Sequence, residues 1–217
     1  MTISIVIPVY EMNGKGAEML KRCLDSIAMQ TFTDYEIVVT DNSDNDDLEK
    51  LCDSYSLPII HLYNEHKGAT KNTNRGIKAA TGDLIKILNQ DDYLAHENAL
   101  QDIVDNFEGQ WLITGCSNNP NPYYTGDIHQ GNNKLGGPSV LTIKNENPML
   151  FDEEMRWLFD CDYYKRMYLM YGEPKILHGV NVVIGEGDYQ LTNNLSEESK
   201  RAEVVFMTNK YVNNSTI

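Results

Sequence analysis

The sequence predicts an α/β protein with a Rossmann-like, doubly wound, mostly parallel central sheet and a small C-terminal helical appendage. Short β-branched apolar runs alternate with segments of helical periodicity through roughly the first 90 residues, and polar turn residues separate them. Four strands that alternate with three helices favour parallel pairing through right-handed crossovers. The chain of 217 residues, 41% of them hydrophobic, is long enough for one well-buried domain.

The first half of the chain alternates strictly between the two element types. Pro8 ends the first strand, and the turn Asp41–Asp44 after the second strand has side chains suited to capping a helix N-terminus. Thr81 and Gly82 mark a further turn. The expected strands are Ile3–Ile7, Tyr35–Thr40, Ile59–Leu62 and Leu84–Leu88, and the expected helices are about Ala17–Met29, Asp46–Tyr55 and Ala69–Ala80.

The second half contains a long segment without clear periodicity. Residues 117–137 are rich in Asn, Gly, Pro and Tyr, and a loop of this length is usually functional or disordered. The sequence leaves both interpretations open. Around this segment we expect helices near Asn98–Phe107, Cys161–Tyr171 and Ser196–Tyr211, and strands at Trp111–Gly115, Ser139–Ile143 and Val180–Ile184.

Composition excludes several classes of partner. A net charge of −14 repels nucleic acid and anionic lipid, although a metal ion could still bring a small polyanion to the chain. We expect a soluble, cytoplasmic protein, because the sequence has no long apolar run and no signal-peptide pattern. No C-x-x-C pair occurs, so buried free thiols are expected at Cys23, Cys52, Cys116 and Cys161.

Two adjacent carboxylates, Asp91 and Asp92, directly follow the fourth predicted strand. In doubly wound sheets, ligands bind beyond the C-terminal ends of the strands. A hard divalent cation takes oxygen ligands and can neutralise a diphosphate. Asp91 and Asp92 are therefore candidate ligands for Mn²⁺ or Mg²⁺. The alternative is that they form a helix N-cap and a solvated turn.

Other strand-end residues offer what a nucleotide needs. Tyr10 could stack on a base, and Asp41 could accept a hydrogen bond from a uracil N–H. Each also has a plainer interpretation, Tyr10 as a rim aromatic and Asp41 as a helix cap. Lys67, Lys71 and Arg75 could reach the phosphates or simply form a solvated helix face. The predicted nucleotide-sugar site also includes Pro8, Val9, Glu11, Asn42, Asn89, Gln90 and Asp91.

Four segments in the first half carry a family resemblance. They are Ile5–Tyr10, Glu36–Ser43, Asn72–Ile77 with Ala80–Asp83, and Leu88–Leu94. In order and spacing they resemble the inverting family 2 glycosyltransferases, which have the GT-A fold of the nucleotide-diphospho-sugar transferase superfamily. The resemblance resumes at Gly137–Ser139 and at Phe151–Asp162, and it covers more than half of the chain.

The resemblance implies a single GT-A domain over residues 1–217, with a nucleotide-binding half at 1–94 and an acceptor-side half at 95–217. It implies metal-dependent transfer of a hexose from a UDP-sugar, UDP-glucose as the first candidate, to an acceptor hydroxyl with inversion. Pro8, Tyr10 and Asp41 would hold the nucleoside, and Asp91 would contact the metal. Asp160 occupies the position of the catalytic base.

Three departures from the family pattern matter. Asn89 replaces the first acid of the carboxylate motif, which weakens metal binding if that position is used. Phe159 replaces the Glu that usually precedes the base, so the choice between Asp160 and Asp162 stays open. The segment Gly185–Gln190 stands where many relatives carry an Arg or His that faces the diphosphate, so phosphate stabilisation would depend more on the metal.

The acceptor, a glycan or another hydroxyl compound, is expected in a groove formed by the second half of the chain. Its candidate residues are Gly137, Pro138, Ser139 and Trp157, with Tyr123 and Tyr124, although the aromatic side chains could instead belong to the core.

Two other functions fit the same scaffold. One is hydrolysis of the nucleotide sugar or nucleotidyl transfer, and the other is a non-catalytic module that binds sugar nucleotides or glycans.

Overall fold

Eight strands form one sheet in the computed structural model, which describes residues 1–188 and 190–212. The strands are β1 (Ile3–Val9), β2 (Tyr35–Asp41), β3 (Ile59–Tyr63), β4 (Leu84–Ile87), β5 (Tyr93–Leu94), β6 (Trp111–Cys116), β7 (Leu141–Lys144) and β8 (Lys175–Val183). Their order across the sheet is β3-β2-β1-β4-β7-β6-β8-β5.

Strands β1 to β4 form a parallel part of the sheet. β1 pairs in parallel with β2 and β4, and β2 pairs in parallel with β3. Val9 lies opposite Asp41, and Asp41 lies opposite Tyr63, so the three strands end level with one another. β7 runs antiparallel to both β4 and β6, and β6 pairs in parallel with β8.

Helices connect the strands as the periodicity predicts. They are α1 (Gly16–Ala28), α2 (Asp47–Asp53), α3 (Ala69–Ala79), α4 (Ala99–Asn106), α5 (Phe159–Tyr171), α6 (Leu191–Asn194) and α7 (Glu197–Val212). The buried face of α1 is apolar and includes Leu20, Leu24 and Ile27. α3 packs closely on β1 at Gly76, where a Cβ atom would lie 2.3 Å from Cγ1 of Val6.

The predicted fold class is confirmed, including the mostly parallel pairing and the C-terminal helices. Several boundaries differ from prediction, and β1 continues through Pro8 to Val9. β8 begins at Lys175 rather than Val180, because Gly179 (φ +98°) interrupts its apolar pattern where β6 carries a bulge. β7 begins at Leu141 because Pro138–Val140 forms a 3-10 turn. Strand β5 and helix α6 were not predicted, because each is too short to show a repeating pattern of apolar residues.

Residues 117–137 adopt defined local structure. A 3-10 turn at Ile128–Gln130 buries Ile128, and the Thr125 hydroxyl donates to the Asn132 carbonyl at 2.6 Å. The segment is therefore ordered, and its role on the acceptor side stays a prediction. The four cysteines are free and buried, as expected. In the described part of the chain, no helix combines the length and apolar character needed to cross a membrane.

Candidate functional site

Tyr10 stands at the end of β1 with its ring 45% exposed, and Gln90 fixes its backbone. The Gln90 side chain accepts a hydrogen bond from the Tyr10 N–H at 2.7 Å and donates to the Tyr10 carbonyl at 3.1 Å. Gln90 itself is buried. The sequence predicted that Gln90 contacts the nucleotide sugar. In the structure its side chain binds the backbone of Tyr10, and the Tyr10 ring remains open for stacking.

Asp41 ends β2 as a buried carboxylate with two protein partners. It accepts hydrogen bonds from His61 Nε2 at 3.0 Å and from the Ser43 N–H at 2.7 Å. Burial raises the pKa of Asp41, but these hydrogen bonds outweigh that effect and leave it below its usual value. Asp41 is thus held as an anion, the form that can accept a further hydrogen bond from a base N–H.

The neighbouring residues of the predicted donor site are largely engaged with backbone. Asn42 is buried and donates to the Asn64 carbonyl at 2.6 Å, and the Lys67 ammonium donates to the Asn42 carbonyl and to Asp44. The Glu11 carboxylate accepts the Asp44 N–H. These contacts shape the strand-end loops. Val9 is fully buried and Pro8 half-buried, so both contribute through backbone and shape.

Asn72 is a positioning residue that the site prediction missed. Its buried amide donates to the Val9 carbonyl at 3.1 Å and to the Thr40 carbonyl at 2.7 Å. It therefore ties the C-terminal ends of β1 and β2 to α3. A signal existed in the sequence, since Asn72 begins one of the segments that resemble the family, but an asparagine on a helix does not by itself indicate which backbone groups it satisfies.

The two carboxylates after β4 have different surroundings. Asp92 is 3% exposed, and its oxygens accept hydrogen bonds from the Ser139 hydroxyl and from the Gly185 N–H at 2.8 Å. Burial, followed by the negative charge of Asp91, raises the pKa of Asp92 to about 7. Asp91 is less buried, and in the described chain no side chain or N–H of another residue donates a hydrogen bond to its carboxylate.

The Asp91 carboxylate therefore fits a divalent cation. Burial raises its pKa, and the nearby Arg22 guanidinium only partly opposes this, so a cation would stabilise the charged form. Among residues 1–188 and 190–212, no cluster of three or more His, Cys, Asp or Glu side chains could hold an ion alone. Protein sites for Mg²⁺ and similar ions often supply only one or two carboxylates, with substrate phosphates completing the coordination. Asp92, with both oxygens engaged, is the weaker candidate.

Ser139 connects the carboxylate turn to the second half of the chain. Its hydroxyl accepts the Asn89 N–H at 2.8 Å and donates to Asp92, while its carbonyl accepts a hydrogen bond from Lys86. Lys86 is fully buried, and burial lowers its pKa to about 7. Ser139 and Pro138, which the sequence predicted as contacts of the sugar acceptor, are also buried. They therefore support the carboxylate turn through packing and hydrogen bonds. Lys86 was not predicted, because a lysine within an apolar strand gives no pattern.

Arg22 and Gly185 also contact the carboxylate turn. Arg22 donates to the Asp91 carbonyl at 2.5 Å and lies over the Tyr93 ring at 4.8 Å. Gly185 packs against the same carbonyl, since a Cβ atom there would lie 2.2 Å from it. Lys15 pairs with Asp188 at 2.9 Å, which joins the loop after β1 to the segment after β8. Tyr189, part of the predicted departure Gly185–Gln190, lies outside the described residues.

Asp160 lies in the first turn of α5 and is held by the long segment before it. One oxygen accepts the Asn133 amide at 2.9 Å, and the other accepts the Cys161 N–H at 2.8 Å. Burial raises the pKa of Asp160 to about 6, against the lowering effect of these hydrogen bonds. Asn133 also binds the Leu135 and Gly136 N–H groups, so it fixes this turn beside the acid.

Asp162 has a structural environment. Its fully buried carboxylate pairs with Arg166 at 2.7 Å and Lys210 at 2.8 Å, and it accepts the Tyr211 hydroxyl at 2.6 Å. These partners anchor α7 against α5. Because its oxygens carry three donors, Asp162 is poorly placed to take a proton. The surroundings favour Asp160 as the base, an assignment that the sequence left open.

The remaining predicted acceptor residues divide between groove and support. Gly137 faces open space, since a Cβ atom there would meet nothing within 4 Å. Trp157 is half-buried, and its indole N–H donates to Thr192 at 3.1 Å. Tyr124 stacks on Tyr168 with ring centroids 4.2 Å apart, whereas Tyr123 is 56% exposed. Gly137 and Tyr123 remain available to a ligand.

Lys71 and Arg75 lie apart from the other predicted donor residues. They line a cleft of about 660 Å³ between α3 and β3, together with Leu62, Asn64, His66, Lys78, Ala79 and Glu153. Among the described residues, neither Tyr10 nor Asp91 lines this cleft. Only Lys67 of the three predicted cations contacts the strand-end loops directly.

A mostly parallel α/β sheet with an aromatic ring and carboxylates at its C-terminal edge has the arrangement in which doubly wound α/β proteins bind their ligands. The family model described as Glycosyl transferase family 2 matches residues 4–169. The chain belongs to this family, as the sequence motifs suggested.

Curated relatives agree with this assignment. Glycosyltransferase GlyG of Streptococcus pneumoniae is 30% identical over 134 residues, which cover 60% of this chain and 42% of that protein. An uncharacterized glycosyltransferase of Rickettsia prowazekii is 36% identical over 117 residues, covering 52% of this chain and 35% of that protein. The chain thus spans well under half the length of these relatives.

Solved structures share the fold at low identity. TarS of S. aureus in complex with UDP-GlcNAc aligns with a TM-score of 0.67 at 16% identity, covering 96% of this chain and 67% of that one. The mannosyltransferase PcManGT of Pyrobaculum calidifontis, in complex with GDP-Man and Mn²⁺, aligns with a TM-score of 0.70 at 15% identity, covering 97% and 64%. These likenesses confirm the GT-A fold.

Replacing Ser139 with alanine tests the connection between the two halves. The substitution leaves the Asn89 N–H without its acceptor and removes one of the two donors to Asp92, so we expect the free energy of unfolding to fall by about 1–3 kcal/mol. Urea denaturation measures this change. The same substitution at the exposed Ser56 is the control, with an expected change within about 0.5 kcal/mol. Equal midpoints for both variants would contradict the supporting role of Ser139.

Replacing Asp162 with asparagine tests its structural role. Removing the charge takes away the carboxylate paired with Arg166 and one of the two carboxylates paired with Lys210, with an expected loss of roughly 3 kcal/mol in urea denaturation. Asp25 is a matched control, because it also pairs with a cation four residues away, Lys21, and accepts a tyrosine hydroxyl, but at the surface. Asp25→Asn should cost about 1 kcal/mol or less. A loss no larger for Asp162→Asn would rule out its anchoring role.

Proposed function

We propose that this chain is the catalytic domain of an inverting glycosyltransferase that uses Mn²⁺ or Mg²⁺. It transfers a hexose from a UDP-sugar, UDP-glucose as the first candidate, to the hydroxyl of a glycan or similar acceptor. The observation that carries the proposal is the half-buried Asp91 carboxylate, which lacks a protein donor and lies after β4 in a family 2 chain. Four free thiols suit the reducing cytoplasm as its place of action.

Residues 1–94 form the donor half in this proposal. Tyr10 stacks on the nucleobase while Gln90 holds its backbone, and Asp41 accepts a hydrogen bond from the base. The relatives support a nucleotide-sugar donor without specifying it. TarS was solved with UDP-GlcNAc and PcManGT with GDP-Man. A Bacillus spizizenii relative, 32% identical over 108 residues, is a poly(ribitol-phosphate) beta-glucosyltransferase.

Asp91 is the residue that would hold the metal, with Asp92 behind it. A divalent ion bound there supplies Lewis-acid stabilisation of the charge that grows on the leaving diphosphate. Arg22 and Gly185 fix the Asp91 backbone, so that its carboxylate keeps one orientation. Ser139 holds Asp92 and the Asn89 N–H in the same turn.

Residues 95–217 supply the base and the acceptor side. Asp160 accepts the proton of the acceptor hydroxyl as that oxygen forms a bond to the anomeric carbon. The bond from that carbon to the diphosphate breaks on the opposite face, which inverts the configuration. Asn133 and the Cys161 N–H hold the Asp160 carboxylate during this step. Gly137 leaves open space for the acceptor.

Product analysis tests the activity as a whole. We expect incubation with UDP-glucose, Mn²⁺ and a set of glycan acceptors to yield a glycoside and UDP. Free sugar with UDP would instead identify a hydrolase, and the absence of any turnover with retained UDP binding would identify a binding module.

The metal assignment is tested at Asp91. In calorimetry with UDP, Mn²⁺ should increase the affinity of the unmodified protein, because an ion held by Asp91 would also attract the diphosphate. Asp91→Asn should bind UDP equally with and without Mn²⁺. Asp105→Asn, which removes an exposed carboxylate on α4, serves as the control and should behave like the unmodified protein. An unchanged Mn²⁺ effect in Asp91→Asn would refute this site.

The base assignment is tested through pH. Because Asp160 must be unprotonated to accept a proton, and its pKa is raised to about 6, kcat/KM should rise with pH up to about 6 and level off above it. Asp160→Asn should lose about 10²–10⁴ in rate together with this pH dependence. Asp162→Asn should retain the pH dependence in whatever fraction stays folded. Normal turnover by Asp160→Asn would show that another group is the base.

A further inference from the structure

The cleft between α3 and β3 carries a row of cations that the donor site does not use. Lys71, Arg75 and Lys78 are spaced by four and three residues, so they share one face of α3, and all three are exposed. Leu62 and Ala79 also line the cleft, which we call the α3 cleft. His66 lines the cleft too, with its Nε2 3.9 Å from the Glu65 carboxylate.

These three cations form no ion pair in the described part of the chain. Lys21, Lys50 and Lys144 each lie 2.7 Å or less from a carboxylate. The exposed Lys134 also has no ion pair in the described chain, so the alignment of three such cations along one cleft is what distinguishes α3 in a chain with 32 acidic residues against 18 Lys and Arg. Like charges three or four residues apart on a helix repel by about 0.2–0.5 kcal/mol per pair, and a bound anion would relieve that repulsion.

Glu153 is the one acidic residue among those that line the α3 cleft. Its carboxylate accepts a hydrogen bond from the Asn74 amide at 3.0 Å. The same Asn74 side chain binds the Phe151 backbone through both its amide and its carbonyl oxygen. Glu153 is therefore held toward Asn74, and the cleft keeps an excess of positive charge.

The α3 cleft extends away from the strand-end site. α3 begins beside the C-terminal end of β1, where Asn72 binds the Val9 carbonyl. The chain leaving α3 reaches the other end of β1, where the Gly82 N–H binds Ser4. At 1.5 Å per residue, Lys78 lies roughly 13 Å along the axis from Ala69. Arg75 and Lys78 therefore lie farther along α3 from the strand-end site than Lys71 does.

We propose that the α3 cleft binds an extended oligophosphate, a soluble chain of linked phosphates that runs along Lys71, Arg75 and Lys78. The three charges span about 10 Å of helix, which suits several phosphates in a row better than one. The recess favours a slender soluble chain over a flat lipid surface. Salt should weaken binding, because the cations are exposed.

Calorimetry with sodium tripolyphosphate, without divalent metal, tests the proposal. We expect binding in low salt that weakens with added NaCl, and much weaker binding of inorganic phosphate. The double variant Arg75→Glu with Lys78→Glu should lose affinity about tenfold or more. Lys21→Glu with Lys50→Glu is the control, since it changes net charge equally on α1 and α2. Thermal unfolding establishes that both variants are folded.

Several outcomes would overturn the proposal. Equal losses in the two double variants would mean that only net charge matters. Displacement of tripolyphosphate by UDP would place it in the donor site. Binding to phosphatidylglycerol vesicles that depends on Arg75 and Lys78, without binding of tripolyphosphate, would identify a membrane surface instead. Failure of UDP to bind while tripolyphosphate binds as expected would count against the proposed function alone.

Discussion

The hydroxyl of Ser139 is the contact on which the arrangement of the site depends. It accepts the Asn89 N–H and donates to Asp92, and so joins the turn after β4 to the chain that enters β7. β7 is the antiparallel strand between the parallel β4 and β6. The contact therefore sets the carboxylate turn relative to the half of the chain that carries Asp160. The buried Lys86 donates a hydrogen bond to the Ser139 carbonyl and so helps to hold Ser139 in this position.

Polar side chains perform most of the positioning, and they do so through backbone groups. Gln90 binds both backbone groups of Tyr10, Asn72 binds the ends of β1 and β2, and Asn133 binds the turn beside Asp160. Strand ends and loops have backbone groups that no ladder satisfies, and leaving them buried and unpaired is costly. Amides satisfy a donor and an acceptor together, which explains their frequency around this site.

The sequence predicted the architecture well because the spacing of apolar residues along the chain indicates which side chains are buried. The alternation from β1 to β4 and the helices between them follow from apolar spacing alone. The strand ends could also be predicted, since parallel strands bring them to one edge. What Ser139 and Gln90 do could not be predicted. Whether a polar residue faces a ligand or a buried backbone group depends on long-range contacts, and Ser139 lies 47 residues from Asp92.

The pair Asp160 and Asp162 shows how one short helix segment holds two carboxylates for different purposes. Both are aspartates, two residues apart in the first turn of the same helix, so the sequence could not distinguish their roles. Asp162 is paired with Arg166 from α5 and Lys210 from α7, which fix its carboxylate in place. Asp160 receives only neutral donors, and burial raises its pKa to about 6. Such a difference in environment is the basis on which we propose Asp160, and not Asp162, as the base. The C-terminal helix contributes to this division, since without Lys210 and Tyr211 the Asp162 charge would lose much of its compensation beside the proposed base.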